Sequence, residues 1–148
     1  MRNVMGMALL LALALAGPAV ALPSERIVID TEQGPRPFHV EIAADTASRE
    51  LGLMHRTSLA NDAGMLFDFQ RPVMTSFWMK DTPLPLDIIF VRPDGSISTI
   101  AANATPMSTT PIPSAEPIRA VIEIGGGLAR KLGIVPGDHV RAPIFPAH

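Results

Sequence analysis

The sequence predicts a mainly β protein: a compact single-domain β-barrel or jelly-roll-like sandwich with two short helices. Three observations carry that prediction. Short apolar runs rich in Ile, Val and Phe recur along the chain, Gly- and Pro-bearing turn signals separate them, and only two stretches have a helical pattern.

The first 21 of the 148 residues read as a signal peptide. Arg2 supplies the positive start, Val4–Ala16 is apolar and free of charge, and Gly17-Pro18 ends the run. Ala19-Val20-Ala21 then gives the small-x-small pattern of a cleavage site, with the cut expected after Ala21. An uncleaved anchor is the alternative, but the run is shorter than the roughly 18–20 residues that cross a bilayer. A periplasmic or secreted location and no stable membrane span after cleavage follow as expectations.

What remains, residues 22–148, suits one domain with one core. Taking Arg2 from the 12 Lys and Arg leaves 11 against 14 Asp and Glu, a formal charge of −3. That balance speaks against a nucleic-acid partner or an anionic membrane surface. Cysteine is absent, so there is no disulfide framework, no thiolate nucleophile and no cysteine metal site.

The elements follow in order. Arg26–Asp30 and Phe38–Ile42 flank Gly34-Pro35 and read as a hairpin. Asp45–Arg56 is the first helix, capped by the Asp45 carboxylate, with Ala47, Leu51 and Met54 forming an apolar stripe and Gly52 weakening it. In Gly64–Phe69, Met65, Phe67 and Phe69 share one face of a strand. Thr75–Met79 and Asp87–Val91 are the next strands, and Arg92-Pro93-Asp94-Gly95 turns tightly into Ile97–Ala101. Thr105–Pro117 holds four prolines without periodicity and reads as a loop. Arg119–Ile124 is a strand, Leu128–Leu132 a short helix stopped by Gly133, and His139–Ala142 the last strand.

The chemistry concentrates in Thr75–Val91, which carries the only tryptophan. Alternation sends Phe77 and Met79 one way and Ser76, Trp78 and Lys80 the other. A tryptophan beside charged groups makes a platform for sugars and other small polar rings. Asp81 either shares in an acid–base pair with Asp87 or simply opens an Asx turn before Thr82-Pro83. Asp87 opens a wholly apolar strand and so needs a partner, for which Arg49, Arg56 and Lys80 are candidates. Glu123 raises the same question within Val121–Ile124, where it either needs a partner or faces solvent.

Other constellations are weaker. His39, His55, His139 and His148 have no ligand spacing. Met54, His55, Met65, Met74 and Met79 offer a Cu(I) reading, set against methionine as core filler. No serine has a nucleophile elbow. Gly125-Gly126-Gly127 either holds an anion on free N–H groups or acts as a hinge.

Several motifs together resemble the DUF192 family of small bacterial and archaeal proteins. They are Arg49–Arg56 (RELGLMHR), Gly64–Phe69 (GMLFDF), Ser76–Thr82 (SFWMKDT) and Pro85–Phe90 (PLDIIF), followed by Gly95, Glu123, Gly127, Gly133 and Gly137-Asp138. The likeness covers nearly all of Arg26–Val140. It implies a compact barrel-like or jelly-roll-like domain, often exported or anchored, and brings no established activity, cofactor or catalytic residue. The family pattern usually has asparagine where this chain has Asp81, which favours the turn reading there.

The reading that results is an exported, non-enzymatic domain binding a small polar or sugar-like ligand. Trp78, Lys80, Asp87, Arg49 and Arg56 form its site, with no cofactor and no metal. The alternatives are a hydrolase or isomerase using Asp87 with Glu123 as acid and base, and Cu(I) handling through Met and His.

Overall fold

Backbone pairing follows the turn signals. The computed structural model describes residues 21–147, so the leader expected at 1–21 lies outside the described residues except for Ala21. β1 (Ser24–Thr31) and β2 (Gly34–Ala43) form the expected antiparallel hairpin. Asp45 caps α1 (Thr46–Leu51), and the Ser48 side chain answers the cap reciprocally. The Ser48 backbone N–H donates to Asp45 and holds its carboxyl below the usual range.

This helix is half as long as the periodicity predicts. Gly52 takes φ 49° and ψ −135°, a C-cap conformation in which only glycine is comfortable, and Leu53 then turns into the core. The predicted stripe does not face inward: Leu51 is exposed and Ser48 is the buried residue of the helix.

α1 carries the chain across to β3 (Ala63–Val73), which pairs parallel with β2. β4 (Ser76–Phe77) is shorter than the predicted Thr75–Met79, because its single partner, β7 (Ile112–Pro113), is only two residues long. That small strand lies inside the segment expected to be plain loop. β5 (Leu86–Val91) and β6 (Ile97–Ala104) form the second hairpin, turned through Pro93-Asp94-Gly95. β8 (Ile118–Gly125), α2 (Leu128–Leu132) and β9 (His139–Arg141) complete the chain.

Seven strands make one sheet in the order β6-β5-β8-β3-β2-β1-β9, curled into a half-barrel. Its two edges approach at one end. Ser96 bridges to His139, the Ile97 N–H donates to the Asp138 carbonyl at 2.8 Å, and Val140 N–H donates to Gly95 O at 2.8 Å.

All seven strands send side chains into one cluster that defines the concave face, including Ile27, Phe38, Leu66, Ile89, Ile97, Ile122 and Val140. Leu128 and Ala129 of α2 close it. The convex face of the central strands carries a second cluster built on Met65, Phe67, Ile88, Phe90 and Val121. Leu53 and the β4–β7 corner cover this second cluster. β5 is buried along its whole length, as its unbroken apolar run requires.

Between β3 and β8 the strands approach closely: a Cβ on Gly64 would lie 2.4 Å from the Glu123 carbonyl oxygen. No helix of the described residues is long and apolar enough to cross a membrane.

Candidate functional site

The second cluster is not completely covered. A cleft of about 650 Å³ opens between α1 with its following turn and the β4 corner, with the outer face of β3 and β8 as its floor.

The corner is built by alternation and aromatic packing. Phe77 drives its ring edge-on against Phe67, with centroids 4.9 Å apart, and against Phe90 at 6.1 Å. Met79 is buried in the same direction, so Ser76, Trp78 and Lys80 are turned outward, as the spacing predicts. Trp78 is 47% exposed and lines the cleft. The Lys80 ammonium sits 5.3 Å from the centre of its ring, a cation–π contact.

Asp81 follows with φ 52°, the left-handed conformation that Asn and Asp tolerate best. Its carbonyl accepts the His55 N–H at 2.7 Å, tying the corner to the turn after α1. Asp81 is therefore a turn residue, in agreement with the asparagine usual there. The Thr105–Pro117 segment braces the corner from behind. The Met79 N–H donates to Ser108 O, Met107 N–H to Thr82 O, and Ser114 N–H to Thr75 O. That segment does not line the cleft.

Arg49 forms part of the opposite wall. Its Nη1 donates to the carbonyls of Ala44 at 2.6 Å and Asp68 at 3.0 Å, and its guanidinium lies 5.5 Å from the centre of the Phe69 ring. It stitches α1 to β3 while presenting a cation to the cleft.

Glu123 is the residue for which sequence reasoning left two readings open, and the structure places it within the cleft lining. It is paired in register with Met65 on one side and Ile88 on the other. Its side chain leaves β8 on the convex face, 4% exposed, and no hydrogen-bond donor among the described residues reaches it. Burial pushes its carboxyl up to about 8, so at neutral pH it is predominantly the uncharged acid. One acidic letter in the otherwise apolar Val121–Ile124 was the available signal.

Asp87 is elsewhere. It is fully buried on the concave face. Its Oδ1 accepts the N–H groups of Asn103 at 2.7 Å and Gly127 at 2.9 Å, and its Oδ2 accepts that of Ala129 at 2.8 Å. One N–H of the glycine run, that of Gly127, does meet a carboxylate, and that carboxylate is the protein's own. None of the three expected cationic partners is used. Arg56 also stays out of the cleft, paired to Glu41 at 2.6 Å.

Two of the alternatives lose their geometry. Asp87 and Glu123 stand on opposite faces of the sheet, so they make no acid–base pair across a cleft. The Cu(I) set is scattered: Met65 and Met79 are sealed in the core, Met74 is exposed, and His55 is exposed outside the cleft lining. Among the described residues no cluster of three His, Cys, Asp or Glu side chains is placed to hold a metal.

A curled β half-barrel with a lateral cleft, floored by a lone carboxylic acid, is the class that fold and site define. The chain belongs to the DUF192 family, described as an uncharacterized ACR, whose model matches residues 27–142. It is similar to two crystal structures. One, from Sinorhizobium meliloti, is of a candidate transcription regulator. It is 41% identical, covers 86% of this chain and 99% of that one, and has a TM-score of 0.83. The other, from Novosphingobium aromaticivorans, is a protein of unknown function. It is 44% identical, covers 85% and 90% of the two chains, and has a TM-score of 0.82. Among curated proteins nothing matches.

Proposed function

We propose that this is an exported, non-enzymatic domain that binds a small polar or sugar-like ligand in the cleft beside Trp78. The observation that carries the reading is one half-exposed tryptophan at a rigid corner, set over a floor whose single polar group has no partner among the described residues. Buried polar groups are ordinarily satisfied, and a group left open on the wall of a cleft suits a ligand. Trp78, Lys80, Arg49 and Glu123 form the site; Asp87 and Arg56 belong to the scaffold.

The hydroxyls in the cleft lining, Thr46, Thr75, Ser76 and Thr82, have no histidine beside them among the lining residues, which favours binding over nucleophilic catalysis. The regulator description of the Sinorhizobium protein does not redirect this reading. Outside the expected leader 11 Lys and Arg stand against 14 Asp and Glu, a balance that does not suit a nucleic-acid backbone.

The test is calorimetric titration and thermal shift across sugars, polyols, organic acids and nucleosides, repeated on Trp78→Ala. A ligand that raises the melting temperature of the wild type and not of the variant supports the reading; no response to any class overturns it. Export is tested separately: the mature protein recovered from the cell envelope is expected to begin at Leu22.

A further inference from the structure

The cleft carries an unusual set of charges for a pocket that would take a neutral sugar. Its walls present two cations, Arg49 from α1 and Lys80 from the corner. The other acid in the lining, Glu50, is exposed on α1, where water screens it. The strands beside Glu123 add no charge on this face, since its register neighbours are Met65 and Ile88. The largely buried ion pair of Asp68 with Arg119 neutralises itself.

At the floor, Glu123 as a neutral acid has an O–H to donate and receives no hydrogen bond from the described residues. Such a donor in an apolar surround is best met by a charged oxygen, because charge-assisted hydrogen bonds are roughly twice as strong as neutral ones. A cationic amine would meet Arg49 and Lys80 on the way in. A sugar would satisfy the donor and leave both cations unused.

From this geometry, and resting on the binding reading above, we infer that the cleft selects small organic anions carrying an apolar or ring face. Glu123 holds its proton and donates it in a hydrogen bond to the anion's oxygen. Lys80 and Arg49 supply the compensating charge, and the Phe69, Phe77 and Trp78 side chains meet the apolar face. Capture is therefore tied to a proton: once Glu123 ionises, a carboxylate faces a carboxylate and the anion is expelled.

The experiment is calorimetry with three probes of one shape, benzoate, benzamide and benzylamine, at pH 6 to 9.5, on the wild type, Glu123→Gln and Glu123→Leu. Benzoate is expected to bind the wild type most tightly at pH 6 and to weaken about tenfold per pH unit once Glu123 has ionised. Glu123→Gln, which keeps a neutral donor, is expected to retain binding and lose that pH slope. Glu123→Leu, folded by circular dichroism, is expected to bind benzoate at least tenfold more weakly. Tighter binding of benzamide or benzylamine overturns the inference, as does a benzoate slope that persists in Glu123→Gln. A neutral sugar that binds where no acid does overturns the inference and upholds the broader reading. Silence of every probe and of the wider ligand panel overturns that reading itself.

Discussion

Asp87 and Glu123 sit on neighbouring hydrogen-bonded strands one register step apart, Asp87 opposite Ile124 and Glu123 opposite Ile88, and their side chains leave the sheet on opposite faces. Two buried acids within one step of each other therefore have unrelated tasks. One gathers backbone N–H groups and pins α2 to the sheet. The other has no donor among the described residues and opens onto a cleft.

Asp87→Ala is expected to destabilise the protein by at least about 3 kcal/mol, because three buried N–H groups lose their acceptor together. Asp87→Asn, with one carbonyl oxygen left, should fall between. Urea denaturation measures both, and the emission of Trp78 in the folded variants should not move. A loss below about 1 kcal/mol for the alanine variant would show that the N–H groups find other partners.

Glu123 makes stability depend on pH with a definite sign. Below its ordinary value of 4.5 the acid is protonated in both folded and unfolded states. Between there and about 8 the unfolded chain releases the proton and the folded protein keeps it, so stability falls as pH rises. The whole penalty is roughly 5 kcal/mol at most and is complete above that range. Glu123→Gln should flatten this part of the profile and melt several degrees higher than the wild type at pH 9. An unchanged slope would mean that ionised Glu123 is solvated in the cleft.

Asp81→Asn and Asp81→Gly should be close to neutral, whereas Asp81→Ala should cost about 1–2 kcal/mol, the ordinary penalty for a Cβ in the left-handed region. If alanine proves as stable as asparagine, the corner is held by the His55 and Thr82 backbone bonds alone.

Arg49→Ala should lower stability by about 2 kcal/mol, since one guanidinium nitrogen serves two carbonyls on different elements. Arg49→Lys should recover only part of this, because an ammonium lacks the planar fork that both bonds these carbonyls and stacks toward Phe69. Full recovery by lysine would reduce the role of Arg49 to its charge.

Much of the fold was legible because its signals are local. Gly34-Pro35 and Pro93-Asp94-Gly95 each state a turn within four residues, and the two hairpins follow. The parallel pairing of β2 with β3 was not legible, since no short-range pattern announces which strands meet across a helix. α1 was overread because Leu51 fits a stripe on paper, yet the Gly52 backbone ends the helix before that stripe finds a core.

In the site, the outward turn of Trp78 and Lys80 was readable from alternation. The role of Asp87 was not: its three donors lie 16, 40 and 42 residues further along the chain. Glu123 stood between these cases. Its strand was plain, but whether that face met solvent or a cleft depended on α1 and the corner, both distant in sequence.

The meeting of the two sheet edges has a consequence for how the chain is made. β1 leaves the ribosome well before its second neighbour, β9. Arg141 reaches back across 111 residues to clasp Asp30 with two bonds of 2.6 and 2.9 Å. Until that tail arrives, β1 presents an unpaired edge, Ile97 of β6 lacks its contact with Asp138, and Gly95 in the preceding turn lacks Val140. Synthesis therefore passes through a stage with two sticky strand edges, which is when such a chain pairs with a copy of itself. A product ending before Val135 would stay at that stage, and self-association, rather than a smaller version of the same protein, is its expected fate.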